Sequence, residues 1–311
     1  MNMETDRSQT LERGVIEDVA GTELGRLDRA VTVVIPAYNE ADHVAAEIRA
    51  VTQVLEEEDW RFEVIVVDDG SEDDTADRAA DAGARVLRHP RNMGYGAALK
   101  RGIRTATHDW ILITDADGTY PVESIPSLLA KASEADMVVG ARTGEAVRVP
   151  LVRKPAKWFL RVLASYLAGE KLPDLNSGLR LMRKSLIERY EHLLPSGFSF
   201  TTTITLAATC NQHFVSYVPI NYRKRLGDSK IRPRHAFDFT LLILRTIVFF
   251  NPLKVFIPLG SLLALGGVAK FVYDITRNNL SESAVLAFLG ALIIWTVGLL
   301  ADQNARVGMQ R

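Results

Sequence analysis

The chain has almost no cysteine. Cys210 is the only one in 311 residues, which excludes an intramolecular disulfide framework and any multi-cysteine metal site. Its apolar neighbours predict a small, buried residue in a chain kept in a reducing compartment. An excess of one charge is also missing. Lys and Arg total 37 against 38 Asp and Glu, a net charge of −1, so there is no global basic field of the kind that marks a general nucleic-acid binder. Residues 1–30 contain no apolar stretch and mix both signs, as in Glu4, Asp6, Arg7, Glu12 and Arg13, which predicts a mobile arm and no secretory signal. His43, His89, His108, His192, His213 and His235 are scattered without metal-ligand spacing, and each is expected to be solvated or packed rather than catalytic. Internal repeats and low-complexity tracts are absent.

What is present is most concentrated in residues 110–121, Trp-Ile-Leu-Ile-Thr-Asp-Ala-Asp-Gly-Thr-Tyr-Pro. An apolar strand runs into Asp115 and Asp117, and the alternation of side chains in extended chain predicts that both carboxylates point the same way as the strand ends. In an open α/β sheet that edge is where ligands bind. Two convergent carboxylates suit a hard divalent cation bridging to phosphate oxygens. Alone, Asp-x-Asp-Gly also fits an ordinary solvated turn, so its context decides.

The first 140 or so residues alternate β-branched runs with helical patterns, which predicts an α/β fold with a mainly parallel, covered sheet. Val31–Ile35, Phe62–Val67, Ala84–Leu87, Trp110–Thr114 and Met137–Val139 read as strands. Asn39–Glu57, Asp73–Ala82, Tyr95–Thr105 and Val122–Ala132 read as the helices between them. From about residue 147 the texture changes: Arg148, Arg153, Lys154, Lys157 and Arg161 alternate with Trp158, Phe159, Leu160 and Val162, as on a helix at an anionic membrane surface or on an ordinary amphipathic helix. Residues 233–252 predict a second, interfacial amphipathic helix.

Two long apolar stretches follow, 253–273 with Lys270 near its end and 283–302, each close to the roughly 20 residues a bilayer core requires. A short polar loop joins them, so they predict a transmembrane hairpin. Arg223 to Arg234 before it and Arg306 and Arg311 after it are basic, whereas the loop holds only Arg277. The positive-inside rule then places the soluble part, residues 31–232, and the tail, 303–311, on the cytoplasmic side.

Pro36-Ala-Tyr38-Asn-Glu40 ends the first predicted strand and Asp68-Asp69-Gly70-Ser71 the second. With Asp115-Ala-Asp117 they make three polar clusters at one sheet edge. Helix capping by Asn39, Ser71 or Asp73 would account for one such cluster, but less readily for three. In order and spacing these residues resemble family 2 glycosyltransferases, in particular the polyprenyl-phosphate sugar synthases related to dolichol-phosphate mannose synthase, over about residues 31–250. The resemblance implies a GT-A nucleotide-diphospho-sugar domain. It implies that Pro36, Tyr38 and Glu40 line the nucleoside pocket, that Val67 and Asp69 lie beside the base, and that Asp115 and Ala116 contact the donor. Asp117 would hold Mg²⁺ or Mn²⁺, with Thr119 as a further metal-shell ligand. Gly140-Ala-Arg142 resembles the family's Gly-x-Arg, whose arginine faces the phosphates. Asp174-Leu-Asn-Ser177-Gly-Leu-Arg180 resembles the acceptor-site segment, and Arg225-Leu-Gly227-Asp-Ser229-Lys230 the basic loop over the donor diphosphate. The spacing in that loop is one residue short, so either Lys224 or Arg225 is the equivalent cation.

The implied reaction is inverting transfer of a hexose from a GDP-mannose or UDP-glucose class donor to a membrane polyprenyl phosphate, dolichyl or undecaprenyl. Asp117, Arg142 and Arg180 would carry the catalysis, with Arg225 and Lys230 on the donor. Arg153, Lys157, Arg161, Ser177 and Arg180 would seat the acceptor phosphate. The partners are then a nucleotide sugar, a lipid phosphate and the membrane, without nucleic acid, and hairpins of this kind also associate with one another. Four readings compete. A haloacid-dehalogenase-type phosphatase shares Asp-x-Asp-Gly-Thr but normally places it on its first strand. A processive synthase would be expected to carry Gln-x-x-Arg-Trp, and no tryptophan here follows an arginine. A lipid-linked oligosaccharide glycosyltransferase of the same fold is the third, and a non-catalytic, membrane-anchored sugar-nucleotide sensor or scaffold is the fourth. Gly94-Tyr-Gly96 is a partial dinucleotide fingerprint, with Leu99 at the third glycine position, and is expected to be a structural turn.

Overall fold

A computed structural model describes residues 29–143, 171–197, 199–222, 248–277 and 282–309, together with 165, 166 and 169. The predicted arm at 1–28 and most of the predicted interfacial helix, 233–247, lie outside these residues.

Seven strands form one sheet: β1 (Ala30–Ala37), β2 (Arg61–Asp68), β3 (Arg85–Arg88), β4 (Trp110–Ile113), β5 (Met137–Ala141), β6 (Arg180–Arg183) and β7 (Val215–Pro219). Their order is β3-β2-β1-β4-β6-β5-β7. β1 pairs in parallel with β2 and β4, β2 with β3, and β5 with β7; β6 alone runs antiparallel, between β4 and β5. The strand order reverses between β1 and β4, the switch point at which the crevice of an open α/β sheet accepts ligands.

The period of two along the strands sorts residues to two cores. Val33, Ile35 and Leu112 pack with Val44 and Ile48 of α1 (Val44–Glu57) and Leu128 of α4 (Ile125–Leu129). Val34, Ile113 and Met182 pack with Leu99 of α3 (Tyr95–Thr105), Ile187 of α5 (Lys184–Tyr190) and Ile204 of α6 (Phe200–Cys210). Helices therefore cover both faces, with α2 (Thr75–Asp81) beside α1, and the strand ends are left open at the edge of the sheet.

Several elements differ from expectation. α1 starts at Val44 rather than Asn39, because Asn39 takes a left-handed backbone (φ 55°) and the chain enters the helix only after a turn on the Glu40 carbonyl. The helix expected over 122–132 divides into a 3₁₀ turn, Val122–Ser124, and the short α4; Pro126 has no N–H to bond back to Val122. Cys210 is half-buried at the end of α6, where the helix emerges toward solvent, and not fully enclosed.

Beyond the sheet, α7 (Leu253–Thr276) and α8 (Glu282–Met309) pack on each other as a hairpin. At 1.5 Å per residue each is long enough to cross a hydrocarbon core of about 30 Å. Leu262, Leu265, Leu286 and Ile293 point outward and are mostly exposed. Contiguous apolar surface of this kind is unfavourable in water and natural against lipid, and by length and composition the hairpin suggests membrane attachment.

Candidate active site

The C-terminal ends of β1, β2, β4 and β5 and the start of β6 share one edge of the sheet, since β6 alone is reversed. After β1, the loop is tied to the loop after β2: Ser71 Oγ accepts the Asn39 N–H at 2.9 Å, Asn39 Oδ1 accepts the Glu72 N–H at 2.9 Å, and Thr75 Oγ1 accepts the Glu40 N–H at 2.9 Å. These polar residues bond across loops. Asn39 does not cap α1 and Ser71 bonds across to Asn39, whereas Asp73 Oδ1 accepts the N–H of Thr75, the first residue of α2, at 3.0 Å. An open pocket lies here, walled by Tyr38, Asp68, Ser71, Arg88, His89 and Arg91. Tyr38 is exposed on its rim and Glu40 is half-buried; Pro36 is still within β1.

Two residues expected beside the base face elsewhere. Val67 is fully buried and packs in the core with α3, because the alternation of β2 turns it inward. The Asp69 carboxylate is enclosed: Oδ1 lies 2.6 Å from His89 Nδ1 and accepts the Met93 N–H at 2.9 Å, and Oδ2 accepts the Gly94 N–H at 2.8 Å. Asp69 thus holds the 89–94 loop, and it is His89 that lines the pocket. At the next turn the Ala97 N–H donates to Ser196 O at 3.0 Å, so a protein carbonyl occupies the N-terminus of α3 and no dinucleotide phosphate sits there.

β4 ends at Ile113, two residues before Asp115, so strand alternation does not orient the carboxylate pair. A turn over Ala116–Gly118 does, with Gly118 at φ 65°, a conformation costly for other residues. Ala116 is buried. Buried Thr119 donates its N–H and Oγ1–H to Asp117 Oδ1 at 3.1 and 2.6 Å, so it orients the Asp117 carboxylate. On the other side of the turn Thr114 Oγ1 donates to the buried Glu47 carboxylate of α1 at 3.2 Å. Among the described residues no three His, Cys, Asp or Glu side chains converge. One or two carboxylates fit a divalent ion that keeps waters and takes substrate phosphate oxygens, as Mg²⁺ and Mn²⁺ do.

Asp115 lies between two chain segments. Tyr95 Oη donates to its Oδ1 at 3.0 Å. From the other side comes Gly178, where a Cβ would stand 3.0 and 3.1 Å from the two carboxylate oxygens. The Gly178 N–H donates to Tyr120 Oη at 2.6 Å, and the Tyr120 ring meets Tyr222 edge to face at 5.2 Å. Burial first, then the Asp115 charge, push both the Tyr95 and Tyr120 phenols well above their usual pKa, so both remain protonated, Tyr95 donating to Asp115 and Tyr120 accepting from the Gly178 N–H.

Arg142, just past β5, forms a two-point ion pair with Asp174: Nε to Oδ2 at 2.7 Å and Nη2 to Oδ1 at 2.9 Å. Its guanidinium also lies 5.4 Å from the centre of the Tyr222 ring. Burial would raise the Asp174 pKa, but the hydrogen bonds and charge of Arg142 outweigh it and hold the carboxyl below its ordinary value. Arg180 does not offer an open cationic seat. It stands on β6, paired with Ile113 on one side and Val139 on the other, and its side chain is fully enclosed under α6. Nε donates to Ser177 O at 2.6 Å, Nη1 to Thr205 Oγ1 at 2.6 Å and Nη2 to Leu175 O at 2.8 Å. It clamps the 174–178 loop. Ser177 is buried with it, and its Oγ has no partner among the described residues. Arg153, Lys157, Arg161, Lys224, Arg225 and Lys230 lie outside the described residues.

A mostly parallel sheet with paired carboxylates and an arginine at its ligand edge defines a GT-A-like glycosyltransferase class. Solved structures agree in fold: glucosyl-3-phosphoglycerate synthase from Mycobacterium tuberculosis, in complex with Mn²⁺, uridine-diphosphate-glucose and phosphoglyceric acid, matches with a TM-score of 0.57 at 22% identity, over 72% of this chain and 82% of that one. Residues 32–191 match the family Glycosyl transferase family 2, and residues 251–307 match the GtrB C-terminal hairpin. Proteins named undecaprenyl-phosphate 4-deoxy-4-formamido-L-arabinose transferase, from Salmonella choleraesuis (strain SC-B67) and Salmonella newport (strain SL254), are 31% identical over 303 residues, covering 90% of this chain and 89% of theirs. The chain belongs to glycosyl transferase family 2. That membership displaces the phosphatase reading of Asp115, whose turn follows the fourth strand of its domain rather than the first.

Tyr95, Tyr120, Asp174, Glu47 and His89 were not among the expected site residues. Tyr95, Tyr120 and Asp174 stood inside motifs already singled out, Gly-Tyr-Gly, the 110–121 segment and Asp-Leu-Asn-Ser; Glu47 and His89 carry no local signal.

Proposed function

We propose that the chain transfers a sugar, in the narrower form a hexose, from a nucleoside diphosphate to a membrane polyprenyl phosphate, with inversion at the anomeric carbon. The observation that carries this is the meeting at one sheet edge of the Asp115–Thr119 turn with the Arg142–Asp174 pair, in a chain that ends in a membrane hairpin. The named acceptor of the Salmonella relatives, undecaprenyl phosphate, supports the lipid class. The donor class is that of GDP-mannose or UDP-glucose.

In this reading the nucleoside rests in the pocket between Tyr38 and His89, and the diphosphate runs toward Asp117. A divalent ion held there by Asp117, with Thr119 orienting the carboxylate, would supply charge neutralisation on the departing oxygens. Arg142 faces the same charge as it develops, while Asp174 keeps the guanidinium from collapsing onto other partners. Arg225 or Lys224, and Lys230, would close over the donor. The acceptor phosphate is largely a dianion at neutral pH, its second pKa being about 6, so the nucleophile is already ionised and a strong general base is unnecessary. Arg153, Lys157 and Arg161 would seat that phosphate near the bilayer, and Arg180 would shape the seat from beneath through the Leu175 and Ser177 carbonyls. The basic flanks of the hairpin support a cytoplasmic catalytic domain.

Membranes carrying the protein, incubated with a panel of labelled sugar nucleotides, are expected to give an organic-extractable product stable to mild base and labile to mild acid. A water-soluble or polymeric product would refute the lipid-phosphate acceptor.

A further inference from the structure

Tyr95 is the first residue of α3 and belongs to a Gly-Tyr-Gly segment that the proposed reaction leaves unused. Its hydroxyl is within 3.0 Å of Asp115 Oδ1, the carboxylate read above as a donor contact. We propose that Tyr95 is a positioning residue for the nucleotide sugar, acting through Asp115 and joining the nucleoside end of the site to the sugar-diphosphate end. The inference rests on the proposed function.

Three observations carry it. The backbone just before the tyrosine is anchored from the nucleoside side, because the Gly94 N–H donates to Asp69 Oδ2 and the same carboxylate holds His89 of the pocket wall. Just after the tyrosine, the Ala97 N–H is fixed on Ser196 O. A phenol mounted between two such anchors has little freedom, so the direction of its O–H is set by the fold. Second, Asp115 is bounded on the opposite side by Gly178, where a Cβ would stand 3.0 and 3.1 Å from its two oxygens, so any side chain there would crowd the carboxylate. Gly178 is itself tied by Tyr120. Third, the phenol stays protonated across the working pH range, because burial and the neighbouring carboxylate both disfavour the phenolate. It therefore donates and never repels. With Oδ1 engaged by Tyr95, the carboxylate meets a bound sugar nucleotide in one orientation. A path of named bonds thus runs from His89 through Asp69 and Gly94–Tyr95 to Asp115.

A packing role alone would make the ring sufficient and the hydroxyl dispensable. The test is Tyr95→Phe, which keeps the ring, measured by calorimetry with UDP, GDP, UDP-glucose and GDP-mannose in the presence of Mn²⁺ on the full-length protein in detergent. Freeing the Asp115 carboxylate from this bond is expected to weaken binding of the preferred nucleotide sugar about tenfold, with the melting temperature lowered by no more than a few degrees. The same substitution made on an Asp115→Asn background is expected to change binding less than twofold, because the hydroxyl acts through that carboxylate. Equal binding by Tyr95→Phe and the parent protein, or an undiminished tenfold loss on the Asp115→Asn background, would overturn the role of Tyr95. A parent protein that binds none of the four ligands would instead refute the donor class, so the two failures are distinct.

Discussion

At the scale of single residues, Arg180 separates a seat from a clamp. A cation waiting for a lipid phosphate would be exposed at the edge, whereas this one is wholly buried with three protein oxygens as acceptors. Arg180→Met is therefore expected to cost about 3 kcal/mol in stability, since it leaves buried carbonyls without donors, and to lower activity at every polyprenyl phosphate concentration. Thermal unfolding with acceptor titration checks this; an unchanged melting temperature with only a raised KM for acceptor would restore Arg180 to the phosphate. The sequence made the Asp115–Asp117 pair legible because it is local. It hid Tyr95 and Asp174 as site residues because their partners are Asp115 and Arg142, brought close only by the order of the strands. Arg180 was misplaced for a related reason: a motif names a residue, but only the reversed central strand says which way its side chain points.

At the scale of elements, the 174–178 loop is held by Arg142 at one end and Arg180 at the other. The Asp174 pKa is lower in the folded protein than in the unfolded chain, so the unfolded state binds more protons in acid. Its stabilising contribution is complete above the ordinary carboxylate pKa of 3.8 and is lost as the pH falls through the lower, folded value. Asp174→Asn is expected to lower stability at neutral pH by about 2 kcal/mol for a partly exposed pair and to flatten the acid limb of the curve. Melting temperatures between about pH 6 and pH 3 measure both, and parallel acid limbs would contradict the assignment. In the hairpin, Gly260 of α7 lies against the Trp295 indole of α8, where a Cβ would fall 2.5 Å from the ring. Gly260→Leu is expected to lower the melting temperature in detergent by overpacking, at a cost of about 1–3 kcal/mol, and Trp295→Ala should recover part of it. No recovery would mean that the two helices meet elsewhere. The first five strands and the apolar spans were legible because period and length mark them. β6, β7, α5 and α6 were not: β6 runs antiparallel, outside the regular alternation of parallel strand and helix, and α6 is buried on nearly every side, with threonines in its core that break any helical stripe.

At the scale of the whole molecule, a sheet covered on both faces leaves its strand ends open, and an apolar hairpin suggests attachment to a bilayer, where a lipid phosphate would be met. Alternating strands and helices with two long spans announced this architecture from sequence, and the seven-stranded sheet and the paired helices agree with it. The identity of the sugar was not legible, because it depends on pocket walls assembled from distant segments. The central claim is that Asp117 supports sugar transfer to a membrane polyprenyl phosphate. It is tested most directly by comparing Asp117→Asn with the parent protein in membranes supplied with undecaprenyl phosphate, Mn²⁺ and the labelled nucleotide sugar the parent protein uses. The account predicts that the variant inserts and melts like the parent but forms less than about 1% of its acid-labile lipid product, as expected when a main source of transition-state charge stabilisation is removed. Product formation at the parent rate by a folded Asp117→Asn protein would contradict it.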